Sequence, residues 1–282
     1  MTHPLLVEAI EDLFVPLLVF NNKQGTDAQL LKKYNEPSWN NPVIRYLDSS
    51  DKDLIPRKDL VLTVEDTAHR MSVALKNAKR EVPAYLAAVA APQKRNELET
   101  ATFAMYCYWE GEAQLGAIDG VYSTRSAWRD GLEVVVLRYH PKEVAYKDLV
   151  EKALEFECAS KIFAHSKEQL ETAKSLAGSR AVFAKDAEAV RLASASDQRY
   201  YLAHSPLKYL PLCEFQKTKV NSSLRRQDDV TRHLSPRQLE LAKKVIAKSK
   251  TDPTGFRQLK VPQNPNKMGE YLVELNHKLT SR

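Results

Sequence analysis

The pattern of this chain predicts a mixed α/β fold of the α+β type, in two units followed by a helical extension. Three observations carry that prediction. Apolar runs of strand length alternate with stretches of helical periodicity over residues 5–90, and again over 100–212. The 282 residues exceed one ordinary domain, and 43% hydrophobic with 28% charged residues suits packed cores. Past Ser235, the apolar positions fall at helical spacing alone. The expected boundaries are a first unit at 1–90, a linker at 91–99, a second unit at 100–212 and a basic helical extension at 213–282.

In the first unit, Leu5 to Leu13 is amphipathic and reads as a helix, and Phe14 to Phe20 is an apolar run that reads as a strand. Asp27 to Tyr34 is helical. Pro42 precedes a second strand, Val43 to Asp48, which closes on the turn Ser49-Ser50-Asp51-Lys52-Asp53. Leu60-Val61-Leu62 is a third strand leading into a helix from Thr63 to Lys79. This order, with a proline just before a strand and an Asp-x-x-Asp-Lys turn after it, resembles the thioredoxin fold. The resemblance implies a structural role for Pro42, whose counterpart in that family is usually cis and packs beside the redox motif. The family's Cys-x-x-Cys is absent, so the implied scaffold lacks dithiol chemistry of its own. From the residues alone, Pro42 is equally an ordinary edge proline.

The second unit opens with a strand at Thr102–Tyr106, a helix from 108 to 118 and a strand at Gly120–Arg125. A third strand, Leu132–Tyr139, follows Arg129-Asp130-Gly131, a short glycine-containing turn that predicts a hairpin. Val144–Glu157 is a helix, Lys161–Ala164 a strand and Lys167–Leu176 a helix. The β-α-β-β-α-β order is the split, ferredoxin-like arrangement. In the extension, Ser235-Pro236 suits a helix start, continued by Leu239, Leu241, Val245 and Ile246. Pro253, Gly255, Pro262 and Pro265 break regularity before a last helix at Lys267–Leu279.

Composition narrows the function. No segment approaches the ~20 apolar residues of a membrane span, and Leu13–Phe20 lacks the flanks of a signal peptide. The chain therefore reads as soluble and cytoplasmic, with no membrane partner. The net charge of +6 is concentrated after Lys208 but interleaved with Glu and Asp, which predicts a solvated surface and no nucleic-acid partner. The three cysteines, 107, 158 and 213, form no Cys-x-x-Cys pair and no zinc spacing, so neither a disulfide framework nor a metal is expected. Cys158 and Cys213 read first as small buried hydrophobes.

Cys107 is different. It lies where the strand period gives way to a helical one, with Trp109, Ala113, Leu115 and Ile118 continuing the helix. Free N–H groups and the helix dipole favour a thiolate at such a junction. Tyr108 and Trp109 can wall an apolar pocket beside the sulfur.

Cys107-Tyr108-Trp109-x-x-Glu112 resembles the Gly-Cys-Phe-Trp-x-x-Glu motif of A-type peptide-methionine sulfoxide reductases. Further segments follow in order: Gly120-Val121-x-Ser123-Thr124-Arg125, Glu133-Val134-Val135 through Tyr139-His140-Pro141, and Val144-x-Tyr146-x-x-Leu149. Ile162-Phe163-x-His165-x-x-x-Gln169, Asp197-Gln198-x-x-Tyr201-Leu202 and Pro206 complete the match. The resemblance implies reduction of a free or peptidyl methionine S-sulfoxide through a Cys107 sulfenic acid. That acid is resolved by a second cysteine or an external thiol such as thioredoxin, with no metal or organic cofactor. It implies Cys107 as nucleophile, Tyr108 and Trp109 holding the substrate methyl, and Glu112 as a structural carboxylate. The chain departs from the family in five places. Tyr106 replaces the glycine before the cysteine, and Ala127-Trp128-Arg129-Asp130-Gly131 replaces Gly-Tyr-Ala-Gly-Gly. The loop carrying the acid is missing, as is a later Asp-x-Gly-x-Gln-Tyr-Arg-Ser segment, since Phe156-Glu157-Cys158 passes directly to Ser160-Lys161-Ile162. Asp197 replaces a histidine. Breaking the S–O bond needs a proton or hydrogen-bond donor. Candidates are Trp128 and Tyr201 as donors and Glu133 as a replacement acid, although Glu133 also reads as a solvent-facing strand residue. Cys158 and Cys213 are candidate resolving thiols. Two other functions compete: a non-catalytic or redox-sensing protein built on the same folds, and a different thiol-dependent reductase or peroxidase.

Overall fold

A computed structural model of the chain describes residues 3–37, 39, 42–90, 97–156, 159–184, 190–262 and 267–280. It divides into two compact units, Met1–Gln93 and Lys94–Arg282.

The first unit contains α1 (Pro4–Leu13), α2 (Thr26–Lys33), β1 (Val43–Ile44), β2 (Lys58–Asp59), α3 (Val64–Asn77) and α4 (Ala84–Ala90). Leu5, Leu6 and Ala9 of α1 pack with Ala68, Met71 and Leu75 of α3 and with Tyr85, Leu86 and Val89 of α4. Thr63 starts α3, its hydroxyl accepting the Asp66 N–H at 3.0 Å.

Three expected strands are corrected here. Residues 14–20 form no ladder among the described residues, and Val15, Leu17 and Leu18 are 97%, 73% and 74% exposed. Apolar content alone does not make a strand; Pro16 removes a donor, and no described segment pairs with the run. The strand expected at 43–48 shortens to the two residues of β1, which pair antiparallel with β2. Leu60 has φ of 54°, which turns the chain out of extended geometry where a strand was expected at 60–62. The described part of this unit thus holds a two-stranded sheet beside four helices, without the central sheet of a thioredoxin fold. Pro42 sits exposed just before β1, where its carbonyl accepts the Leu60 N–H at 2.9 Å.

The second unit is a mixed α/β structure built on one six-stranded mixed sheet. Its elements are β3 (Glu99–Ala104), α5 (Tyr108–Gly116), β4 (Val121–Arg129), β5 (Leu132–Tyr139), α6 (Tyr146–Glu155), β6 (Lys161–Ala164), α7 (Lys167–Ala177), β7 (Ala181–Phe183) and β8 (Arg191–Leu192). The strand order is β7-β6-β3-β5-β4-β8. Within it, β6-β3-β5-β4 is an antiparallel ladder whose connections give the β-α-β-β-α-β order. The β4–β5 hairpin turns on Asp130 and Gly131, with φ of 52° and 74°, the two positive values of a type I′ turn. β4 runs beyond the expected Arg125 to Arg129, so Trp128 is a strand residue.

The sheet is buried along one face and in part on the other. Val135, Leu137 and Tyr139 of β5 face α6 and α7 residues such as Leu149, Val150 and Ala173, while Val134 packs on the other side with Ala104, Ala127 and Phe163. The rest of the unit is helical: α8 (Tyr200–Ala203), α9 (Glu214–Arg226), α10 (Pro236–Thr251) and α11 (Met268–Thr280). α10 starts at a capping box, with Ser235 and Gln238 bonding each other's backbone N–H at 3.1 and 3.0 Å. Among the described residues, no helix is long and apolar enough to cross a membrane.

Candidate active site

Cys107 lies at a sharp change of direction. β3 ends at Ala104, and the Met105 N–H donates to the Glu133 carbonyl at 2.8 Å. Tyr106 then projects outward, 90% exposed. Cys107 is the N-cap of α5 in extended geometry, φ −142° and ψ 117°, and its carbonyl accepts the Gly111 N–H at 3.0 Å. Its thiol is free and half-buried. Gly111 sets how closely α5 approaches the sheet, since a Cβ there would come within 2.8 Å of Met105 and Val135 side-chain atoms.

Glu133 points toward this junction. Its Oε2 accepts the Tyr108 N–H at 2.8 Å, so a carboxylate stands one peptide unit from Cys107 on a helix N-terminal donor. Val134 and Val135 are both buried, on opposite faces, which is why Val134-Val135-Val136 obscured this orientation in the sequence.

An aromatic series flanks the junction. Tyr108 meets Trp128 edge-on at 5.7 Å and Trp109 at 6.1 Å, and Trp109 stacks on Tyr200 at 4.0 Å. The Trp109 indole Nε1 is buried without an acceptor among the described residues. Burial pushes the Tyr108 hydroxyl pKa up, and the neighbouring carboxylates Asp197 and Glu133 push it further. Asp197 is itself fixed by a 2.7 Å bond from Ser194.

Beside the junction lies a cleft of about 510 Å³ whose lining includes Met105, Tyr106, Trp128, Glu133, Ser160 and Arg180. Trp128 and Glu133 face each other across the β4–β5 hairpin. The structure therefore brings Tyr108, Trp128 and Glu133 together beside Cys107, although Cys107 and Tyr108 are not among the residues that line the cleft. It turns Trp109 toward α8, and it adds Asp197, Tyr200 and Arg180. Asp197 was visible in the sequence only as a departure from the family motif, and nothing local marked Arg180.

The remaining candidates take other places. The Tyr201 hydroxyl donates to Glu110 at 3.0 Å, and Arg225 donates to the same carboxylate at 2.7 Å; this commits Tyr201 to an ion-pair network. Glu112 is fully buried, with its Oε2 accepting the Arg199 N–H at 2.6 Å beside Thr124 and Ser126, and burial pushes its pKa up. It ties α5 to the segment before α8. Cys158 lies outside the described residues.

Cys213 is the N-cap of α9, and the direction of that helix sets it apart from Cys107. Lys219 donates to the Gly116 and Ile118 carbonyls past the end of α5, whereas Arg225 reaches Glu110 in its first turn. α9 thus runs antiparallel to α5, and Cys213 lies beyond the end opposite Cys107. The nine residues of α5 alone span ~13 Å, about twice the Cα separation a disulfide tolerates. Burial also pushes the Cys213 thiol up to about 11, which disfavours the nucleophilic thiolate.

No family model matches this chain, and no curated protein matches it. Among the described residues, no group of three His, Cys, Asp or Glu side chains is placed to hold a metal ion.

Proposed function

We propose that the second unit is a shortened, ferredoxin-like reductase domain of the A-type methionine sulfoxide reductase kind. In this reading it uses Cys107 to reduce methionine S-sulfoxide, free or peptidyl. The observation that carries the reading is the Glu133 carboxylate on the Tyr108 N–H, an acid–base group one peptide from the nucleophile and on the wall of the cleft. The sulfur of Cys107 attacks the sulfoxide sulfur. Glu133 takes the thiol proton and delivers it to the sulfoxide oxygen as the S–O bond breaks. The oxygen passes to Cys107 as a sulfenic acid and the sulfide leaves, so the substrate gains two electrons and the cysteine loses them. A thioredoxin-type dithiol then supplies two thiols, regenerating Cys107 and releasing water and a disulfide. Trp128 and Tyr108 supply the apolar wall for the methyl group, and the Trp128 indole N–H is a donor for the oxygen.

The test is turnover with dithiothreitol. Wild type is expected to release methionine from the S-sulfoxide, and Cys107→Ser to release none. Equal yields from the two proteins would end the enzyme reading.

One observation favours the redox-sensing alternative: the described residues offer Cys107 no partner thiol, since Cys213 is at the far end of α5. A sulfenic acid that persists in the presence of thioredoxin would move the conclusion to a sensor.

A further inference from the structure

The sheet face opposite α6 and α7 carries an arginine with no counter-ion among the described residues. Arg129 ends β4, in register with Leu132, and strand alternation places it on the face of Ala127 and Val134, away from Trp128. Its guanidinium carbon lies 4.7 Å from the centroid of the Phe163 ring on β6. Because β5 and β3 lie between β4 and β6, the arginine stem crosses the sheet toward that ring. Arg129 is only 5% exposed, yet its Nε and Nη1 have no acceptor, and among the described residues no carboxylate pairs with it.

The surroundings add positive charge. The Lys161 ammonium lies 5.4 Å from the same ring. His165 Nε2 and Thr102 Oγ1 form a 2.8 Å pair on β6's exit and β3. The His165 pKa is pushed down, first by burial and then by the charge of Arg129.

A guanidinium cannot shed its proton to relieve desolvation. Leaving it buried and unpaired is strongly unfavourable, and a cation–π contact offsets only part of that cost. The shortfall is what an anion would supply. We propose that Arg129 and Lys161, above the Phe163 ring, bind the oxyanion group of a small ligand, a phosphate or a carboxylate. The accessible margin of Arg129 is the entry, Phe163 is the apolar floor, and the His165–Thr102 pair offers further polar contact. This site is on the opposite sheet face from the Glu133 cleft and does not depend on the sulfoxide reaction.

The test is thermal unfolding of the full chain in phosphate, acetate or chloride at matched ionic strength. Phosphate or acetate should raise Tm saturably above chloride, as ligand linkage requires. A response to phosphate alone assigns a phosphate-bearing ligand, and to acetate alone a carboxylate-bearing one. Arg129→Met, which keeps the stem and removes the charge, should weaken the anion about tenfold. Its Tm in chloride should equal or exceed that of wild type. Lys161→Met should weaken binding about threefold, and it serves should Arg129→Met not fold. Identical Tm values for wild type in the three salts would overturn the proposal, as would wild-type anion affinity in the variants.

Discussion

Glu133 is held by geometry rather than by chance orientation, because its strand position and the N–H it accepts are both fixed by backbone. Glu133→Gln keeps an acceptor for Tyr108 and removes the proposed proton relay. It is expected to lower kcat by about 10²–10⁴-fold with Tm unchanged. A kcat within a few-fold of wild type would remove Glu133 from the mechanism. Trp128→Ala opens the wall of the cleft and removes the indole donor to the oxygen, so it should raise KM and lower kcat together. At this scale the sequence was legible where a residue type marked a backbone event. Cys107 at the period change and Asp130-Gly131 at the hairpin are both such cases. It was not legible where orientation decided the role. The Glu133 side chain could have pointed either way beside three consecutive valines, and Trp109 turned away from the cleft toward Tyr200.

The pairing of α5 with α9 is the element on which the site rests. Gly116 permits it: a Cβ there would come within 2.8 Å of Ser222 Oγ and 3.0 Å of Thr218. Gly116→Ala should therefore destabilise the chain by about 1–3 kcal/mol, measurable by urea denaturation. α9 had little apolar signature to read, because Val220 is the one apolar residue among its buried side chains, beside Gln216, Thr218, Lys219, Asn221, Ser222 and Ser223. Its anchoring is electrostatic. Burial pushes the Glu214 carboxyl up, but Arg199, Lys217 and Arg125 outweigh burial and hold it at about 2. A carboxyl depressed in the folded state stabilises above its unfolded pKa, and this contribution is lost as pH falls through the folded one. Unfolding free energy should thus drop between about pH 4.5 and 2 by on the order of 3 kcal/mol, a component that Glu214→Gln lacks. Glu112 acts in the opposite sense: its raised pKa favours the fold at low pH, and that contribution fades as pH rises.

Across the whole molecule, each apolar core draws on one unit. One lies before Gln93, and the sheet and helical cores lie after Lys94. A fragment spanning residues 94–282 should unfold cooperatively, followed by circular dichroism; a non-cooperative melt would show that the first unit is required. The antiparallel ladder of the second unit could be read from sequence because each strand reported a local pattern. β7 and β8, at three and two residues, were too short to do so. In the first unit the expected sheet failed because pairing is not a local property, and Phe14–Phe20 found no partner among the described residues. The central claim concerns Cys107, and a single turnover without reductant tests it most directly. Mixing the chain with methionine S-sulfoxide should release one equivalent of methionine and leave Cys107 one oxygen heavier by mass spectrometry. Release of no methionine, or an unmodified Cys107 after methionine is released, would contradict it.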